Sequence, residues 1–115
     1  MYNLEKNKMR NTLLKGTCAS KGSAEGIVHI ATDENLNQPS HDNFILVCKQ
    51  TNPAYSAVLM KAKGVITETG GIVSHAAIIS RELEIPCIVS AEKATQILKN
   101  GQKIILDATQ GVVYE

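Results

Sequence analysis

Residues 44–48 read Phe-Ile-Leu-Val-Cys, five apolar side chains in succession. A strand with one wet face alternates apolar and polar residues. An unbroken run needs cover on both faces, the mark of a strand inside a parallel sheet. Helices usually supply that cover, and the chain goes on to offer them. Thr51-Asn52-Pro53 breaks the strand, and Ala54 to Ala62 (AYSAVLMKA) carries apolar residues at helical spacing. Pro53 suits the first helical position if Asn52 caps. Gly64-Val65-Ile66-Thr67 predicts a short strand, Gly70-Gly71 a turn, and Ser74 to Leu83 (SHAAIISREL) a helix that Pro86 stops. Cys87-Ile88-Val89 predicts the next strand. Ser90 then predicts the cap of a helix running through Lys99 and closed by Asn100-Gly101.

Around this βα rhythm lie further strands. Thr12 to Gly16 is one candidate, Gly22 to Gly26 (GSAEG) reads as a turn, and Gly26 to Ala31 (GIVHIA) as a β-branched strand. Thr32 to Asp42 is a polar loop about as long as a compact domain tolerates. Lys103 to Leu106 and Val112 to Tyr114 predict two last strands around a turn at Asp107–Gly111. Residues 1–12 predict a tail, and residues 13–115 one domain, a length near the commonest for compact domains. The order β-β-loop-βαβαβα-ββ gives an α/β domain with a mixed sheet.

Composition excludes several functions. Twelve Lys plus Arg against eleven Asp plus Glu leave +1, no electrostatic footprint for nucleic acid or an anionic membrane. One Phe, three Tyr and no Trp offer no platform for stacking bases. Cys18, Cys48 and Cys87 form no CxxC, and His29, His41 and His75 form no HxxxH pair, so neither a zinc site nor a thioredoxin-like centre is indicated. Scattered cysteines in odd number fit reduced thiols and a cytoplasmic protein. No apolar run approaches the roughly 20 residues of a membrane span. The start, MYNLEKNKMR, is too polar for a signal peptide.

Chemistry concentrates at one place. The run Glu68-Thr69-Gly70-Gly71-Ile72-Val73-Ser74-His75-Ala76-Ala77 puts a histidine where a strand passes through a glycine turn into a helix. The glycines permit unusual dihedrals and close approach of a ligand. Ser74 is a preferred N-cap, so the helix starts beside the histidine. Its first-turn N–H groups and the positive end of its dipole then face whatever His75 carries. Imidazole titrates at about 6.5, so in the cytosol one ring nitrogen largely keeps its lone pair. Together these describe a histidine able to attack phosphorus and hold the phosphoryl group against a helix start. The same spacing also suits a histidine that merely caps and a glycine pair that merely turns. No Walker A loop occurs anywhere in the chain.

The wider pattern is more specific. Thr51 and Pro53, Gly70, Gly71, Ser74, His75, Ala77, Ile78, Arg81, Ile85 and Pro86 follow one another at fixed spacing. Their order resembles the phosphohistidine swivelling domain of the phosphoenolpyruvate (PEP)-utilising enzymes. That family includes PEP synthase, pyruvate phosphate dikinase, Enzyme I of the sugar phosphotransferase system and the rifampicin phosphotransferases. Its hallmark is a Thr-x-Pro turn followed by Gly-Gly-x-x-Ser/Thr-His-x-Ala-Ile/Val-x-x-Arg-x-x-x-Ile/Leu-Pro. Gly16 to Gly22 with Gly26 is similar to its opening, and Gly101-Gln102-Lys103 with Asp107 to Tyr114 resembles its closing hairpin. The likeness covers residues 14–115.

The resemblance implies a single swivelling domain of three layers, β/β/α, rather than a Rossmann sheet. It implies that His75 accepts a phosphoryl group, with Ser74, Thr69, Gly70 and Gly71 supporting the phosphate. The domain would swing between a donor site, ATP on an ATP-grasp domain or PEP in a barrel, and an acceptor site. It would bind no metal or cofactor itself; ATP or PEP with Mg²⁺ would sit on partner domains, which would also neutralise the transferring charge. The chain is thus expected to be a phosphotransferase component that performs half-reactions.

One departure is Val73, where several members carry a threonine that regulation phosphorylates. It removes that switch and leaves the acceptor nitrogen untouched. Val73 and the closing hairpin incline toward the ATP-dependent synthase or dikinase branch. Thr69 and Ser74 are candidates to bond phosphoryl oxygens or orient the imidazole, Ser74 also as the cap. Arg81 lies six residues past His75, off its face, and predicts an ion pair with Glu82, Glu84 or Glu68. His29 and His41 carry no assigned chemistry, Lys61 and Lys63 read as solvated, and Cys87 as a small core residue. Two other functions fit: a stand-alone relay carrier serving separate kinases, which a start at Met1 would suit, and a non-catalytic binding module.

Overall fold

The computed structural model describes residues 11–35, 39 and 41–115. The tail expected over 1–12 therefore falls largely outside the described residues. Strands β1 (Thr12–Lys15), β2 (Thr17–Ser20) and β3 (Ser23–Ile30) come first, then β4 (Phe44–Cys48). A 3-10 turn, Pro53–Tyr55, leads into α1 (Ser56–Leu59), followed by β5 (Gly64–Thr67), α2 (His75–Leu83) and β6 (Cys87–Val89). The chain ends with α3 (Ala94–Ile97), β7 (Lys103–Asp107) and β8 (Val112–Tyr114).

All eight strands form one mixed sheet in the order β1-β8-β7-β3-β4-β5-β6-β2. The pairs β3–β4, β4–β5 and β5–β6 are parallel, and the others antiparallel. Strands β1 and β2 stand at opposite ends of that order, yet only Gly16 separates them along the chain. The sheet therefore curls until its two ends meet. At this seam the Gly16 N–H donates to the Gly111 carbonyl at 2.9 Å. A Cβ on Gly16 would lie 2.8 Å from the Val89 carbonyl, so only glycine lets the two ends approach this closely.

Burial on both faces of β4 explains its unbroken apolar run. Phe44, Leu46 and Cys48 pack with Tyr55, Val58 and Leu59 and with Ala76 and Ala77 of α2. Ile45 and Val47 face the opposite way, toward Ile66, Ile88, Ile104, Leu106 and Val113. Helices, parallel strands and the curled antiparallel strands thus stack as the expected β/β/α layers. Each fully buried Ile, Leu or Phe contributes about 1.5–3 kcal/mol. Cys48 and Cys87 are buried as core residues; burial pushes their thiols up to about 12 and about 11, keeping them neutral. His29, on β3, lies edge-on to Phe44 with ring centroids 5.9 Å apart. Among the described residues, no helix is long and apolar enough to cross a membrane.

The structure corrects four local expectations. Residues 17–20 form β2, an additional strand paired with β6. The stretch read as a turn, Gly22 to Gly26, turns only at Gly22 (φ 126°); Ser23 to Gly26 already belong to β3, paired with β7. Gly26 marks a close approach, since a Cβ there would lie 3.1 Å from the Asn43 carbonyl. The helix expected over 90–99 shrinks to α3, because Ser90 (φ 56°) and Lys93 (φ 63°) both take the left-handed conformation that interrupts a helix. Similarly, the span 54–62 holds only the 3-10 turn and α1. The expected Asn52 cap is present there, accepting from the Ala54 N–H at 2.8 Å, with Pro53 at the first position.

Candidate functional site

The loop between β5 and α2 leaves the sheet at the carboxyl ends of the parallel strands and is gripped at its base from two sides. Toward β4, the Glu68 N–H donates to the Cys48 carbonyl at 3.1 Å. The Lys49 carbonyl accepts from both the Thr69 N–H and the Thr69 hydroxyl at 3.0 Å. Toward β6 and α3, the Ala91 N–H donates to the Thr67 carbonyl at 3.0 Å, and the Thr95 N–H to the Glu68 carboxylate at 2.7 Å. The Ser90 hydroxyl donates to the Gly70 carbonyl at 3.0 Å.

Gly70 then turns the chain with φ 96°, where a side chain would be strained and would crowd Ser74. Gly71 has open space around it, and its carbonyl accepts from the Ser74 N–H at 3.0 Å. Ser74 caps α2 as expected, its hydroxyl oxygen accepting from the Ala77 N–H at 3.3 Å. His75 is the first residue of α2, half-buried.

Orientation of the imidazole comes from a residue outside the loop. His75 Nδ1 lies 2.9 Å from the Thr51 hydroxyl. Thr51 directly precedes the Asn52-Pro53 turn, so its own position is fixed by that cap. Thr51 thus engages Nδ1, and Nε2 is the other ring nitrogen. Within three residues of His75 along the chain, three apolar side chains are exposed: Ile72 at 58%, Val73 at 79% and Ile78 at 43%. Exposed apolar side chains close together in sequence suit a partner surface better than bulk water.

Of the sequence candidates, Ser74, Gly70, Gly71 and His75 therefore form one continuous turn into α2. The Thr69 hydroxyl faces the Lys49 carbonyl and braces the loop from below. Thr51 was legible as part of a Thr-x-Pro turn, but its contact with the ring spans 24 residues and no local spacing announces it. Ser90 was read as a helix cap; its hydroxyl serves the glycine turn instead. Arg81 corrects another expectation. Its guanidinium donates to the Ala19 carbonyl of β2 at 3.0 Å, tying α2 to the sheet edge. Glu68, offered as its ion-pair partner, is held by Thr95 instead. Among the described residues, no three His, Cys, Asp or Glu side chains converge as a metal ion would require.

Comparison with known proteins places this geometry in context. Residues 40–111 match the family model described as PEP-utilising enzyme, mobile domain. The chain is 42% identical over 108 residues to a probable phosphoenolpyruvate synthase of Methanothermobacter thermautotrophicus, covering 94% of this chain and 16% of that protein. It is 41% identical over 103 residues to the phosphoenolpyruvate synthase of Pyrococcus furiosus, covering 90% of this chain and 13% of that protein. A solution structure of Enzyme I superposes with a TM-score of 0.58 at 31% identity, over 69% of this chain and 32% of that one. The chain thus spans about one-sixth or less of the length of these curated relatives.

Proposed function

Because the chain belongs to the mobile-domain family of the PEP-utilising enzymes, we propose that it is a phosphoryl carrier whose acceptor is Nε2 of His75. One observation carries this reading: the Thr51 hydroxyl, 2.9 Å from Nδ1, fixes the ring at a helix start with Nε2 left open. The productive tautomer has Nδ1–H donating to Thr51, so that Nε2 bears the lone pair. Nε2 attacks phosphorus, the N–P bond forms, and the bond from phosphorus to the donor oxygen breaks, the electron pair leaving with that oxygen. Nε2 has no proton to lose, and Nδ1–H now belongs to a cationic ring. Its hydrogen bond to Thr51 strengthens as that charge develops. In the second half-reaction an acceptor oxygen attacks phosphorus, the N–P bond breaks, and the neutral imidazole returns. The start of α2 stabilises the phosphoryl group through its dipole and first-turn N–H groups.

The donor and acceptor lie on other domains, in keeping with relatives far longer than this chain. An ATP-grasp domain or a PEP-binding barrel would hold ATP or PEP with Mg²⁺ and supply the cations that neutralise the transferring group. PEP synthesis is the activity that the names of these relatives suggest, and the donor in that branch would be ATP. The test is phosphoryl transfer onto the purified chain in extract of its source cells, with labelled ATP or labelled PEP. Acid-labile, alkali-stable label is the expected result, and the donor that works identifies the branch. Absence of label from both donors, with folded protein and a competent extract, would leave the binding module as the better account.

Two substitutions probe the site. Thr51→Val keeps the shape but removes the partner of Nδ1, freeing the ring to rotate and to place its proton on Nε2. Labelling is expected to slow about ten- to hundredfold, the worth of a hydrogen bond to a charged group; a rate unchanged from wild type would show that Thr51 does not orient the ring. Val73→Asp puts a negative charge on the most exposed apolar position beside the histidine. Labelling by the donor domain is expected to fall about tenfold or more with the melting temperature unchanged. Equal rates would place the docking surface elsewhere.

A further inference from the structure

Ser90 adopts a backbone conformation for which its own sequence gives no reason. It lies just past β6 with φ 56°, in the left-handed region that disfavours residues bearing a Cβ, yet it is neither glycine nor asparagine. From that conformation its hydroxyl donates to the carbonyl of Gly70, 20 residues away, at 3.0 Å, while the next N–H, that of Ala91, meets the Thr67 carbonyl. We propose that Ser90 is a positioning residue for the phosphoacceptor loop, a latch that sets the plane of the Gly70–Gly71 peptide. This inference rests on the reading of His75 as the phosphoryl acceptor.

Gly70 and Gly71 are the residues of this loop with the greatest backbone freedom, and Gly71 has no neighbouring atoms to confine a side chain, let alone a bare backbone. The contacts to Lys49 and Thr95 hold the loop only as far as Thr69. Beyond the glycines, control resumes where the Ser74 N–H meets the Gly71 carbonyl. Ser90 acts in the interval. A trans peptide is planar, so a Gly70 carbonyl turned toward Ser90 sends the Gly71 N–H the opposite way. Without the latch, that peptide can rotate through conformations open to glycine alone, and the entry to α2 loses its fixed direction. His75, its first residue, loses it too. A glycine at position 90 would be relaxed but would carry no hydroxyl. Serine tolerates the strain and supplies the bond.

Two variants of the full chain separate these terms. Ser90→Ala keeps a Cβ in the left-handed conformation and removes the hydroxyl. Ser90→Gly removes both the hydroxyl and the strain, so it is expected to melt above Ser90→Ala and within a few degrees of wild type. Both are expected to accept phosphate about three- to tenfold more slowly, the range of one neutral hydrogen bond. In both, amide order parameters over Gly70–Val73 should fall from about 0.85 to below about 0.6, while those of β5 stay unchanged. Wild-type order parameters and rates in both variants would overturn the proposal. So would a loss of rate in Ser90→Gly matched by a large fall in melting temperature, since that is a merely structural role. If neither donor labels wild type, the carrier reading falls, and the order parameters alone then decide the latch: a fall upholds it, and no change overturns it.

Discussion

Alanine in place of His75 is expected to leave a folded chain that takes up no phosphate from either donor. The fold should survive because the ring is half-buried and bonds to Thr51, while Ala76 and Ala77 carry the packing of α2 against the sheet. Losing that single bond costs about 1 kcal/mol, within the range a domain tolerates. Labelling, by contrast, should vanish rather than diminish. The nearest hydroxyl in the turn, Ser74, is committed to capping the Ala77 N–H, and Thr69 to the Lys49 carbonyl. Neither has a base to activate it. Labelled ATP and labelled PEP should be tested side by side on wild type and His75→Ala, with melting curves for both. NMR of phosphorylated wild type should then show phosphorus on Nε2. Label persisting on His75→Ala, or phosphorus found on Nδ1, would refute the assignment.

The strands that bear this site were legible because their surroundings are local in character. Phe44 to Cys48 announces burial on both faces by composition alone, and both cores it enters are there. The Asn52 and Ser74 caps could be read because capping acts over two or three residues. What escaped was everything decided across the sheet. Thr17 to Ser20 is four small residues, too short to show an apolar rhythm; it becomes a strand because Gly16 lets the chain cross the seam and pair with β6. Ser90 looked like a cap by residue type, and nothing local in the sequence announces its left-handed backbone or its bond to Gly70 across the sheet. Arg81 stood in reach of three acidic residues by sequence, but in space its guanidinium donates to the Ala19 carbonyl on β2. The histidine was readable as a candidate; the hydroxyl that meets its Nδ1 lies 24 residues earlier.

Gly111→Ala is expected to be the most damaging addition of one methyl group anywhere outside the loop. Gly111 has φ 71°, and a Cβ there would collide with the carbonyl of Gly16, a backbone atom that no rotamer change can move aside. The same two residues share the hydrogen bond that closes the curled sheet, and Gly16 is itself pressed against Val89. Relief would have to come from parting the strands. Left-handed strain costs about 1 kcal/mol and overpacking about 1–3 more. The sum is a large share of the stability of a small domain, and the melting temperature should fall by roughly 10–20 °C. Gly101→Ala is the control: its φ is 86°, but nothing lies within 4 Å of the added Cβ, so it meets the strain without the collision. If the two variants melt together, the seam is looser than backbone against backbone. If Gly111→Ala falls well below Gly101→Ala, the seam is closed backbone against backbone, and that closure is then expected to reach the site as well. Val89, against which Gly16 packs, is the last residue of β6, and Ser90 follows it directly. Parting the seam would withdraw Ser90 from Gly70, so labelling of His75 in the residual folded Gly111→Ala should slow as it does in Ser90→Ala.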